Sequence, residues 1–107
     1  MTEADIVRSI MLALSKGTVR LWRNNVGKLP DAQGRWVTYG LGVGSSDLIG
    51  VSMQANGIGR MVAIEVKAPG KKATTAQKDF IDCVIAMGGQ AGVAHSVEEA
   101  VEILRQR

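Results

Sequence analysis

The chain has 107 residues, 46% of them hydrophobic, and a net charge of +3, which fits one domain spanning 1–107 and leaves no room for a second of ordinary size. The single cysteine, Cys83, excludes an internal disulfide, no apolar run approaches a membrane span, and the acidic opening Met1-Thr2-Glu3-Ala4-Asp5 is unlike a signal peptide, so a soluble, intracellular protein is expected. The basic surplus mildly favours an anionic partner such as nucleic acid, and a chain this short gains from partner subunits.

Thr2 with Asp5 three positions later is a capping-box pattern. Ile6, Val7, Ile10, Met11 and Leu14 follow at helical spacing up to Gly17, which predicts a helix over about residues 3–16. Thr18 to Arg23 alternates apolar and polar residues and predicts a strand. Asn24 to Arg35 holds Gly27, Pro30, Asp31 and Gly34, the chemistry of a loop or hairpin, and Trp36–Tyr39 is open to a short strand. Gly40, Gly42 and Gly44 free the chain to turn before Asp47, where a strand through Ser52 begins. Asn56-Gly57 and Gly59 mark a tight turn.

Met61 to Lys67 is the clearest strand, with Met61, Ala63, Glu65 and Lys67 on one face and Val62, Ile64 and Val66 on the other. Pro69-Gly70 ends it. Thr74 or Thr75 caps a helix whose apolar stripe is Phe80, Ile81, Val84, Ile85 and Met87. Gln90–His95 reads as a strand, and Ser96 with Glu99 opens a last helix. The order α-β-β-β-α-β-α, with a helix crossing between the last two strands, implies at least one parallel pair. The expected class is therefore α/β, a mixed sheet with helices on its faces.

Glu65 is the residue that needs explaining. A carboxylate in an apolar strand costs free energy unless it is paired or bound to a metal, and Lys67, two residues on, points the same way. Taken alone, the two are also what a surface strand with an ordinary ion pair shows. Asp47 is a second acid at a strand start, although Asp after glycines is also a common turn residue. If the two strands pair, the carboxylates converge. Together with the Val66 backbone carbonyl they suit Mg²⁺, a hard cation that takes oxygen ligands and keeps waters. Lys67 would then orient water or neutralise charge developing on a phosphoryl group.

Ser46-Asp47-Leu48-Ile49-Gly50, then Ala63-Ile64-Glu65-Val66-Lys67, then Gln77, resembles the PD-(D/E)XK nuclease superfamily, with Ser46 where that pattern has proline. More closely, the chain resembles the VRR-NUC family of virus-type replication-repair nucleases. Glu3, Arg23-Asn24-Asn25-Val26-Gly27, the glycine-rich approach to Asp47, Gly70-Lys71-Lys72 and Gly88-Gly89-Gln90-Ala91-Gly92-Val93-Ala94 carry that likeness over nearly the whole chain.

The resemblance implies a restriction-endonuclease-like fold and a structure-specific DNA endonuclease dependent on Mg²⁺ or Mn²⁺. The substrate it suggests is branched DNA such as Holliday junctions, cut by a homodimer in phage or bacterial replication and repair, in the cytoplasm. Asp47 and Glu65 would be metal ligands, Lys67 the catalytic lysine, Gln77 a supporting hydrogen-bond donor, and Glu3 an acid reaching a metal-bound water. Asn25, Ser46, Lys71 and Lys72 are candidate DNA contacts. Bland roles stand beside these: Gln77 as a solvated first-turn residue, Glu3 as an acid favoured by the helix dipole, the lysines as an ordinary loop. Arg20, Arg23, Asn24 and Lys28 face the same choice. Trp22 and Trp36 are expected in a core or dimer interface, Cys83 in the core, and His95 at a strand end with no zinc site around it. The competing reading is a DNA-binding or scaffolding module on the same fold that does not cut.

Overall fold

The computed structural model describes all residues, 1–107. Its elements are α1 (Glu3–Leu14), β1 (Val19–Arg23), β2 (Gly27–Pro30), β3 (Trp36–Tyr39), β4 (Leu48–Met53), β5 (Gly59–Val66), α2 (Thr75–Ala86), β6 (Gln90–Ala94) and α3 (Val97–Ile103). The main sheet runs β1-β4-β5-β6. β4 is antiparallel to β1 and β5, while β6 is parallel to β5, because α2 carries the chain back across the sheet before β6 enters. The mixed α/β sheet is as expected. The addition is a separate two-stranded hairpin, β2-β3, where the sequence left loop and strand open.

Helices cover the sheet on both faces. Ile6, Val7 and Ile10 of α1 and Ala100 and Ile103 of α3 pack with Leu21, Leu48, Val62, Ile64, Val66 and Ala94. On the opposite face, Ile81 and Val84 of α2 pack on Ala63 and Ala91, flanked by Ile49, Phe80 and Val93. β5 is thus buried from both sides, and every residue from Val62 to Val66 is interior, Glu65 included. A strand in that position must be almost wholly apolar, so one carboxylate within it is a deliberate expense.

The helix starts follow their caps. Thr2 and Asp5 form a full capping box at α1, as do Thr74 and Gln77 at α2. At α3 only half the expected box forms: Ser96 accepts from the Glu99 amide, but the Glu99 carboxylate accepts from the His95 amide instead of the Ser96 one.

Three expectations about packing are corrected. Cys83 is exposed, because α2 turns only the Ile81–Val84 stripe inward. Ile85 and Met87, counted in that stripe, are exposed as well. Trp22 and Trp36 are not core residues, since α2 leaves the β1 end of its sheet face uncovered and nothing covers the hairpin.

Candidate functional site

Antiparallel pairing sets Leu48 opposite Ile64, so the next position out sets Asp47 opposite Glu65. Both acids lie on the α2 side of the sheet, with Ile49 and Ala63. Asp47 is held from two directions. Its backbone carbonyl accepts from the Asn24 amide at 2.8 Å, continuing the β1–β4 ladder. Its carboxylate accepts from the Val66 amide at 2.8 Å, bridging to the end of β5. One face of that carboxylate is therefore oriented by backbone before any ligand arrives.

Glu65 is 2% exposed, and its pKa is pushed from 4.5 up to about 8. Burial is the main cause; hydrogen bonding to Asp47 and the Asp47 charge add to it. Lys67, half-buried just past the end of β5, pulls the other way, and the charge of Glu3 adds the smallest contribution to the rise. The pair thus holds more negative charge than its surroundings balance, and a proton or a cation between the two carboxylates relieves it. Two converging carboxylates beside a backbone carbonyl fit a hard divalent cation that completes its shell with water and phosphate oxygens. No third His, Cys, Asp or Glu joins them as a side-chain ligand cluster.

The remaining candidates are dispersed differently. Gln77 is the third residue of α2, where its Oε1 accepts from the Thr74 amide at 2.8 Å. No hydrogen bond joins it to Asp47, Glu65 or Lys67; its Nε2 is uncommitted. Glu3 is exposed in the first turn of α1. Lys71 and Lys72 are exposed in the loop after β5, and the Lys71 carbonyl lies 2.7 Å from His95 Nε2. Asn25 is exposed at the foot of the hairpin. Ser46 is a correction: it is fully buried and cannot touch DNA. Side chains alternate along the chain, so with Asp47 on the α2 side Ser46 turns to the other, where its hydroxyl finds no partner.

Sequence reasoning passed over what organises the approach to Asp47. Asn24 Nδ2 donates to Ser45 Oγ at 2.7 Å and to the Ser46 carbonyl at 2.9 Å, and its Oδ1 accepts from the Leu41 amide at 3.2 Å. One side chain thereby pins both ends of the 41–46 loop. That loop passes through positive φ at Gly42 and Gly44. A Cβ on Gly44 would sit 2.7 Å from the Ala76 carbonyl, so glycine is what lets the loop lie on the first turn of α2. The available signal was an Asn directly after a strand, a residue type that bonds nearby backbone.

The sheet order and the helices on both faces define a restriction-endonuclease-like α/β protein. The family model for the VRR-NUC domain matches residues 2–98, and the chain belongs to that family, whose domain is of nuclease type. A solved structure described as "VRR_NUC domain protein" aligns with a TM-score of 0.63 and 24% identity, over 99% of this chain and 87% of that one, a likeness of fold. No curated protein matches.

Proposed function

We propose that residues 1–107 form one nuclease domain that hydrolyses DNA phosphodiester bonds with Mg²⁺ or Mn²⁺, acting as an endonuclease on branched DNA such as a Holliday junction. The observation that carries the reading is the convergence of Asp47 with Glu65, a carboxylate buried in a central strand where its charge costs free energy unless it is paired or bound to a cation. A cation held by Asp47, Glu65 and the Val66 carbonyl would polarise a phosphoryl oxygen and lower the pKa of a bound water. The Val66 amide keeps the Asp47 carboxylate turned toward that position. Lys67, on the Glu65 side of the strand, supplies positive charge where the transition state gathers negative charge. Gln77 has a free amide donor at the start of α2, suited to a water or a phosphate oxygen. Lys71 and Lys72 add an exposed basic loop for the DNA backbone.

A homodimer suits this substrate, since a two-fold axis matches paired incisions on a branched duplex. No helix is long and apolar enough to cross a membrane, and the family's replication and repair role points to the cytoplasm of a bacterial or phage-infected cell. The runner-up is a DNA-binding module on the same fold that does not cut.

The deciding experiment incubates the protein with a four-way junction, a flap, a nicked duplex and a plain duplex in Mg²⁺, Mn²⁺ or EDTA, beside Asp47→Asn. Metal-dependent cutting lost in the variant supports the nuclease, and paired incisions on the junction support the dimer. Folded protein that binds all four DNAs and cuts none in either metal moves the reading to the binding module.

A further inference from the structure

The β2-β3 hairpin leaves the body of the protein with almost nothing covering it. Of its eight strand residues only Gly27 is even half-buried. Trp36 is 72% exposed, Leu29 62%, and Val37 and Tyr39 are exposed too. A two-stranded hairpin with bare apolar side chains is marginal in water unless something packs on it, so this one is built to be covered.

Charge says by what. Residues 16–44 hold five basic side chains, Lys16, Arg20, Arg23, Lys28 and Arg35, against one acid, Asp31. That surplus of four exceeds the +3 of the whole chain, so the molecule's positive charge resides on β1 and the hairpin. Asp31 does not offset it outward: its carboxylate accepts from the Gln33 and Arg35 amides at 2.9 and 2.8 Å and from Arg35 Nε at 3.0 Å. Those bonds stiffen the tip. The same segment holds three of the chain's four aromatic residues, Trp22, Trp36 and Tyr39, all exposed. A second copy of so basic a surface would be repelled across a two-fold axis, whereas an anionic polymer is drawn to it.

Register sorts the hairpin into two faces. Lys28 and Thr38 share one with Pro30 and Trp36; Leu29, Val37 and Tyr39 share the other. Tyr39 crosses the strand so closely that a Cβ on Gly27 would clash with its hydroxyl. The foot is tied to the candidate centre, since Asn24 holds Leu41 and Ser46 together beside Asp47. At about 3.3 Å per residue the tip reaches roughly 20 Å from there, about six nucleotide steps.

We propose that this hairpin is a substrate arm that engages DNA with unpaired or splayed bases, Trp36 stacking on a base while Lys28 and Arg23 meet phosphates. Exposed rings beside uncompensated cations are what single-stranded segments recognise, and a plain duplex hides its base faces. The inference rests on the proposed nuclease reading for its substrate and deepens it: discrimination of branched from plain DNA lies in the arm, not in the carboxylates.

The two tryptophans make the test direct. Trp22→Phe leaves Trp36 as the sole indole, and its emission is followed in EDTA, where nothing is cut. Single-stranded, forked and plain duplex oligonucleotides are added in turn. The expected result is strong quenching by single-stranded and forked DNA and little by duplex. Trp36→Ala should weaken forked-DNA binding about tenfold, leave duplex binding within about twofold, and keep the melting temperature and sedimentation of the parent. Unquenched Trp36 at saturating DNA overturns the proposal while leaving the nuclease reading intact. A Trp36→Ala protein that falls from dimer to monomer with unchanged DNA affinity also overturns it and assigns the arm to self-association. Quenched Trp36 in a protein that never cuts in Mg²⁺ or Mn²⁺ upholds the arm and sinks the nuclease. Failure to bind any DNA removes both.

Discussion

Replacing Glu65 by Gln should stabilise the metal-free protein even as it abolishes cleavage. Glu65 has an ordinary pKa of 4.5 when the chain is unfolded and about 8 when it is buried opposite Asp47. The raised value sets the sign: the stability tied to this group is complete below about pH 4.5 and is lost as pH rises toward 8. At pH 7 the gap of about two and a half units between pH and the unfolded pKa costs about 3 kcal/mol. Glutamine keeps the shape and can donate to Asp47 as the protonated acid does, without the charge. For a domain of this size that recovery is worth upward of roughly 10 °C in melting temperature. Thermal unfolding of both proteins in EDTA across about pH 5 to 8 reads the difference directly. It should be small at the acid end and widen steadily. Adding Mg²⁺ should then raise the parent and not the variant, because only the parent retains the site. A difference that stays flat with pH, or a variant that loses stability relative to the parent as pH rises, would falsify the account of Glu65 as a charge held against its burial cost.

Lys67→Ala should lower the rate of cutting by about a hundredfold or more, with Mn²⁺ binding by calorimetry nearly unchanged; equal losses in both would make it a structural counter-ion. Asn24→Ala removes three side-chain hydrogen bonds and should cost about 2–4 kcal/mol in chemical denaturation. The same variant should bind Mn²⁺ more weakly, and unaltered metal affinity would remove the loop from any role in orienting Asp47. Gly44→Ala forces a Cβ to 2.7 Å from the Ala76 carbonyl at a φ of +84°. About 1–3 kcal/mol of stability should be lost, with activity falling further than that of an equally destabilised core variant. His95 sits between two acceptors, Glu99 Oε1 at 2.8 Å and the Lys71 carbonyl at 2.7 Å, which only the imidazolium satisfies together. Hydrogen bonding to the Lys71 carbonyl and to Glu99 raises its pKa. The contribution is present below about pH 6.5 and is lost as pH rises through the raised value. An NMR titration of the ring should give a midpoint above 6.5, and Lys71 amide exchange should quicken over the same range.

Local chemistry was legible along the chain wherever a short pattern implies one geometry. The capping box at Thr2, a helix start at Thr74 or Thr75, the turn at Gly57 and the alternation of Met61 to Lys67 are decided within a few residues by hydrogen bonding and by the two-residue period of a strand. Glu65 stood out for the same reason, as one charge in an apolar run. The same patterns misled for Cys83, Ile85 and Met87, because helical spacing shows which residues share a side but not how wide a stripe the sheet beneath will cover.

Three things waited for the tertiary structure. The register of β4 against β5 sets Asp47 opposite Glu65, and it follows from the detailed geometry of the turn that joins the two strands, which the residues at the turn mark without fixing. Alternation at the strand start then buries Ser46 while exposing Asp47 to the site. The bareness of the hairpin and of Trp22 depends on what other elements fail to cover them, a property of the whole molecule. By itself the sequence determined which residues prefer which local conformation and which one carries an unexplained charge. Only folding decided which of them meet, because contacts between distant residues come from how sheets and helices stack, and that stacking is written in no single stretch of chain.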